Sequence, residues 1–179
     1  ASLARSSHAL EVTVDPAPSG WTRLVMRSKF GAGRDFVVTD LDGEQQYFVD
    51  GKMGPRPKAE VQDAAGGVRY SVRGKMLGIP KKMEVTDAGG HDVASRSAKG
   101  FAPIKSRMTL HMAGGTEWHV EGSLLEKDYS ISADGSPVVA ISQKWVTIRD
   151  SYTLDVVDGV DPGLALAAVW ATDRWVERD

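Results

Sequence analysis

The sequence predicts a mainly β protein: a closed antiparallel barrel of about twelve strands around a central hydrophobic C-terminal α-helix. Three observations predict it. Short alternating runs recur on either side of Asp- and Gly-rich turns. Alternation leaves one apolar face per run. A segment near the C-terminus has no polar face at all.

The hairpins come first along the chain. Phe36–Thr39 and Gln46–Asp50 flank Asp40-Leu41-Asp42-Gly43. Ala59–Val61 and Val68–Arg73 flank Asp63-Ala64-Ala65-Gly66. A third unit runs from Met83 through Asp87-Ala88-Gly89-Gly90 to Asp92–Ser97. The fourth joins Met108–Met112 to Glu117–Glu121 through Ala113-Gly114-Gly115. The fifth joins Tyr129–Ile131 to Pro137–Ser142 through Ala133-Asp134-Gly135. Turn glycines at 43, 66, 90, 115 and 135 lie 23, 24, 25 and 20 residues apart. Two strands and two turns fill such an interval, and Asp-Gly suits turns that demand positive φ. Leu24–Ser28 and Ser151–Val156 add a strand at each end of the series.

Side-chain alternation assigns the faces. Val68, Tyr70 and Val72 share one side, opposite Arg69, Ser71 and Arg73. Met83 and Val85, Met108, Leu110 and Met112, Trp118 and Val120, and Tyr152, Leu154 and Val156 repeat the pattern. The sheet is therefore expected to bury one side, as a sandwich or a barrel.

The last element favours the barrel. Asp161 can cap a helix with Pro162 at its first position. Leu164–Ala171 is then apolar all round, with Leu164, Leu166, Val169 and Trp170 as its large side chains. Such a helix must be covered on every side, and a barrel interior does that. The alternative is a helix packed on a sandwich or at a dimer interface. The helix is expected near 161–176, emerging at Thr172, Asp173 and Arg174.

One domain is expected over 21–179, preceded by a partly flexible N-terminal extension, 1–20. The first residue is Ala1, compatible with a trimmed start, and no signal-peptide pattern follows it. The longest apolar run, eight residues, falls short of the roughly twenty a membrane helix needs, so no transmembrane span is expected. Of 179 residues, 22 are Lys or Arg and 24 Asp or Glu; the net charge of −2 selects no partner by bulk attraction. There is no cysteine, which removes disulfides, thiolate metal sites and cysteine nucleophiles. The expected location is the cytoplasm, including the periphery of the membrane.

Three stretches resemble the LURP-one-related family, grouped with the tubby C-terminal and phospholipid scramblase folds. They are Trp118–Ile131, Ala140–Trp145, and Asp150–Val156 followed by Asp161-Pro162 and the apolar helix; Phe36–Gly51 with Lys52-Met53 looks like the family's opening pattern. The match covers roughly 21–175 and is read as a bacterial-type member. It implies a twelve-stranded barrel around a central helix, without a settled activity. Tubby relatives bind phosphoinositides through exposed basic residues. Scramblase relatives carry a cysteine-rich lipidated segment and an acidic calcium segment. Here cysteine is absent, and Asp155, Asp158 and Asp161 lack calcium-loop spacing, so scramblase activity is not expected.

Charge is uneven. Lys52–Arg107 holds 12 Lys/Arg and 5 Asp/Glu; the remainder holds 10 and 19. Lys58, Arg69, Arg73 and Lys82 take the outward parity, and Lys75, Lys81, Lys99, Lys105 and Arg107 fall at strand ends or turns. These nine are the candidate anion-binding residues, for phospholipid headgroups or a protein partner. A solvated outer face is the simpler account of them. Nucleic acid is disfavoured, since no aromatics interleave with the cations. His111 and His119 share an outward face and, if the loop spans Ala113–Glu117, stand directly opposite. Without further ligands they are read as exposed histidines, and no metal site is expected. No G-x-S-x-G, H-E-x-x-H or Walker loop occurs. The expected function is a non-enzymatic binding or scaffold domain without catalytic residues or cofactor. The alternatives are an enzyme with a rim-located site or a weak nucleic-acid binder.

Overall fold

The computed structural model describes residues 14–29, 35–52, 54, 56–75, 81–98, 108–144, 146 and 151–177. Twelve strands follow one another: β1 (Trp21–Ser28), β2 (Phe36–Thr39), β3 (Gln45–Lys52), β4 (Lys58–Asp63), β5 (Val68–Lys75), β6 (Lys81–Asp87), β7 (Asp92–Ala98), β8 (Met108–Met112), β9 (Glu117–Ser123), β10 (Asp128–Ala133), β11 (Ser136–Ser142) and β12 (Ser151–Val157). A helix, α1 (Pro162–Glu177), ends the series. Each strand pairs antiparallel with its sequence neighbour, and β12 returns to β1, closing the barrel as expected. The closing seam is registered from Trp21↔Val157 to Arg27↔Ser151.

Alternate strand directions sort the connections into two sets. At one end lie 40–44, 64–67, 88–91, 113–116 and 134–135, together with 158–161, which leads into α1. This is the turn end. At the other, the loop end, lie the strand ends joined by the remaining connections, of which 124–127 is described throughout. All five Asp/Gly hairpins read from the sequence gather at the turn end.

Three of these turns share one construction. The Oδ1 of Asp40 accepts the N–H groups of Asp42 and Glu44, each at 2.9 Å. Asp63 does the same for Ala65 and Gly67, and Asp87 for Gly89 and His91. The carboxylate thus satisfies donors that the tight backbone leaves free. Gly43, Gly66 and Gly90 follow at φ near +87°, +89° and +82°, where a side chain would be strained. The fourth turn keeps the backbone bonds Met112 N–H to the Thr116 carbonyl and Gly115 N–H to the Met112 carbonyl without the carboxylate.

A bulge accompanies four of the five hairpins, at Val38/Thr39, Val61/Gln62, Val85/Thr86 and Ile131/Ser132. The second corrects one facing. Gln62 pairs with Val68 and Val61 with Tyr70, so Arg69 is the extra residue. The two-residue period breaks there, and Val68 is 37% exposed while Val72 is fully buried. A second correction concerns β1 and β12. The outward-facing Val25, Ser151 and Thr153 are buried, so the sheet is not covered on one side only. Arg23 is also buried there: it grips Asp155 with Nε and Nη2, at 2.8 and 2.9 Å, and donates from Nη1 to the Asp15 carbonyl.

α1 fills the interior. Ala165–Val169 have no exposure, Trp170 has 3%, and Leu164 is half-buried near the turn end. The Oδ1 of Asp161 accepts the Gly163 N–H at 3.0 Å, completing the expected cap. The helix lies nearest β4, β5 and β6. Inward residues of the neighbouring wall are mostly small (Ala59, Val61, Val72, Gly74 and Val85, with Met83 and the half-buried Tyr70 the large ones), whereas Phe36, Trp118, Tyr129 and Tyr152 fill the opposite wall. Large side chains on one side and small ones on the other set the helix off the axis. Gly163 shows how close the approach is: a Cβ there would lie 3.0 Å from the Tyr70 ring. Among the described residues, no helix is long and apolar enough to cross a membrane.

The polar residues do not mark where α1 emerges. Thr172 is 1% exposed and Arg174 9%, and Trp175 behind them is 3% exposed. Arg174 lies over the Trp170 ring at 5.8 Å and Arg96 over Trp175 at 4.6 Å. Stacking on aromatic faces lets both guanidinium groups enter the core's end.

Candidate anion-binding surface

Three of the nine sequence candidates, Lys58, Arg73 and Lys82, fall on the outer face of β4–β6. Register runs across the strands as Lys52↔Lys58, Lys58↔Arg73 and Arg73↔Glu84. Lys75 pairs with Lys82 one step further toward the loop end, and Lys81 with Ala98. Lys58, Arg73 and Lys82 are exposed. Neighbouring strands stand about 4.8 Å apart, so Lys58 and Arg73 are like charges placed side by side. Such a pair is destabilising by itself.

Carboxylates form ion pairs with the flanking lysines. Lys52 Nζ lies 2.6 Å from Asp50 Oδ2 and 3.4 Å from Glu60 Oε1. Lys82 Nζ lies 2.6 Å from Glu84 Oε1. The hydrogen bond to Asp50 raises the Lys52 pKa, and that to Glu84 raises that of Lys82, so both ammonium groups stay charged. Among the described residues, Lys58 and Arg73 form no ion pair. Arg56, exposed beside β4, also forms none among them. The centre of the surface thus holds two cations without an ion pair among the described residues, Arg73 standing opposite Glu84 in register, with paired lysines on either side.

Arg69 stands apart. It is four residues along β5 from Arg73, roughly 13 Å at the usual strand rise, and lies toward the turn end. Its charge acts there on Tyr47 and Tyr70, opposing the upward pKa shift that burial gives both phenols. The Tyr70 hydroxyl donates to Asp161 Oδ2 at 2.5 Å, so Arg69 borders the helix cap rather than the basic row. Lys99, Lys105 and Arg107 lie outside the described residues.

Sequence reasoning missed Lys52, Arg56 and the three carboxylate partners. Part of this was readable: Asp50 and Lys52, and Lys82 and Glu84, sit two apart on one strand and so share a face. That Lys52 faces Lys58 depends on the register, which alternation alone does not fix.

The histidine pair is rearranged. The connection spans 113–116, so His111 pairs with Glu117 and Thr109 with His119. The two imidazoles are diagonal rather than directly opposite. Glu117 lies between them, 3.7 Å from His111 Nδ1 and from His119 Nε2. His119 Nδ1 and the Thr109 hydroxyl are 3.1 Å apart. Among the described residues, no three His, Cys, Asp or Glu side chains are placed to hold a metal ion.

A closed twelve-stranded antiparallel barrel threaded by its own C-terminal helix defines the class: a tubby-like barrel. The LURP-one-related family model matches residues 22–173, and the chain belongs to that family. A protein of Arabidopsis thaliana solved by X-ray crystallography has a similar structure, with a TM-score of 0.64 at 17% identity over 93% of this chain and 99% of that one. At this identity the likeness concerns the fold alone. No curated protein matches the sequence.

Proposed function

We propose that this protein is a non-enzymatic binding domain for anionic phospholipid headgroups, acting in the cytoplasm at the membrane periphery. The observation that supports it is the exposed Lys58–Arg73 pair, side by side on β4 and β5 without an ion-pair partner among the described residues. A fold stabilised for its own sake gains nothing from that juxtaposition; an arriving phosphate relieves it. Lys82, exposed on the neighbouring β6, adds a further cation to the same outer face. The family supports a binding or scaffold role.

Co-sedimentation with phosphatidylcholine vesicles, with and without phosphatidylserine or phosphoinositide, tests this reading. Binding should require the anionic lipid and weaken with salt. Each basic residue near such a surface contributes about 1 kcal/mol. Lys58→Gln with Arg73→Gln should therefore weaken binding by about 2 kcal/mol, roughly thirty-fold, with thermal stability nearly unchanged. Salt-insensitive binding, or none, defeats the proposal.

A further inference from the structure

We propose that the barrel opens locally at one place, the seam between β7 and β8, and that Arg96 is the clasp that closes this seam and couples it to the end of α1.

The closing seam between β1 and β12 is paired from Trp21↔Val157 to Arg27↔Ser151, and β6 with β7 from Lys81↔Ala98 to Thr86↔Asp92. β7 and β8 share two residue pairs, Ala94↔Met112 and Ser95↔His111. Each of the other eleven seams carries four or more. Both strands nevertheless continue. The same register would set Arg96 opposite Leu110, Ser97 opposite Thr109 and Ala98 opposite Met108. These six residues pair instead only with their other neighbours, β6 and β9. The seam is zipped toward the turn end, where the Ala113 N–H also donates to the Val93 carbonyl at 2.9 Å. Toward the loop end its ladder stops.

Arg96 spans the unladdered part. Its Nη1 donates to the Thr109 carbonyl at 3.2 Å, so a side chain of β7 serves a β8 acceptor where the ladder has ended. The same guanidinium lies over the Trp175 ring of α1, 4.6 Å from its centre. One planar group does both, because its donors point along its plane while its face stacks. β7, β8 and the last turn of α1 therefore meet at one side chain. Behind it, Met108 and Leu110 face inward at 7% and 3% exposure.

A closed barrel can part at one seam and keep the other eleven. Local opening follows the route on which the fewest interactions are lost, and here that route is the seam with the shortest ladder. Parting it takes Thr109 away from Arg96, which frees the guanidinium and loosens the stack on Trp175. Opening of the wall and release of the helix end thus become one event. Anything that holds either partner of Arg96 stabilises both.

Amide hydrogen exchange resolved by NMR tests this. In the wild type, amides of 94–96 and 109–112 that face the shared seam should exchange roughly ten-fold faster than those of the β1–β12 seam. Arg96→Met keeps an unbranched chain against Trp175 but removes the donor. It should speed exchange at the β7–β8 seam roughly ten-fold more, leave the β1–β12 seam unchanged, and shift the indole N–H signal of Trp175, identified by its loss in Trp175→Phe. Ser95→Cys with His111→Cys places two thiols directly opposite in a chain with no other cysteine. Their disulfide should slow exchange at this seam relative to the reduced form of the same protein. Wild-type exchange no faster at β7–β8 than at β1–β12 overturns the proposal, as does equal exchange in the oxidised and reduced double variant. An Arg96→Met protein with wild-type exchange at the seam removes the clasp, and an unmoved Trp175 signal removes the coupling. If Arg96→Met does not fold, the oxidised and reduced pair decides.

Discussion

The two ends of the barrel solve the same problem, returning the chain to its neighbour, in opposite ways. At the turn end, connections of two to five residues close on themselves. Asp40, Asp63 and Asp87 each hold two backbone N–H groups of their own turn. The sequences that join the strands at the loop end run up to nine residues and hold nine Lys or Arg against three Asp or Glu. The difference teaches where specification and function can separate. Local carboxylate turns set strand order and strand register on one side. The opposite side is then free to vary in length and charge, as functional loops on a rigid scaffold do.

α1 connects the ends, and breaking it should have the largest effect. Leu166 and Trp170 lie in the middle of the helix, with 0% and 3% exposure. Leu166→Asp or Trp170→Asp would bury an unpaired carboxylate, at a cost of several kcal/mol against a total stability of about 5–15 kcal/mol. Soluble expression and circular dichroism should show loss of the fold for either variant. A variant that folds with near-native stability would contradict the central helix.

Much of this was legible before the structure. The five turns, the cap at Asp161 and the apolar helix each left a local signature in Asp, Gly, Pro and hydrophobic spacing. What escaped was set by contacts distant in sequence. Thr172 and Arg174 look like an emerging helix end, but Arg174 stacks on Trp170 and the turn stays inside. Val68 loses its inward place to a bulge residue, Arg69, that alternation cannot register. For the basic surface, residue types and parity were readable; the Lys58–Arg73 pairing and the separation of Arg69 required the register.

The helix is tied at both ends by the same motif, and the two ties should differ in strength. At the turn end the Tyr70 hydroxyl donates to Asp161, at the loop end the Tyr129 hydroxyl donates to Asp173 at 3.1 Å. Tyr129 is buried and Tyr70 only half-buried. Asp173→Ala therefore strands a buried hydroxyl and removes the partner of Lys127, costing about 2–3 kcal/mol. Asp161→Ala loses a helix cap, about 1 kcal/mol, while Tyr70 can turn to water. Denaturant unfolding of the two variants ranks them. Equal losses would mean that the ends are held alike.

The smallest effect concerns the turns themselves and is visible through pH. The Asp87 carboxyl is held below its ordinary value, first by the His91 backbone N–H and then by that of Gly89. A carboxyl with a folded pKa below the unfolded one contributes stability above the unfolded value, near 3.9 for aspartate. That contribution falls away as pH drops through the folded value. Asp87→Ala should accordingly be less stable than the wild type at neutral pH, and the gap should narrow as acid protonates the carboxylate in the wild type. Thermal unfolding of both proteins between neutral and acid pH measures it. If the gap between Asp87→Ala and the wild type stays the same from neutral to acid pH, the carboxylate turn does not hold the turn end in the way its geometry indicates.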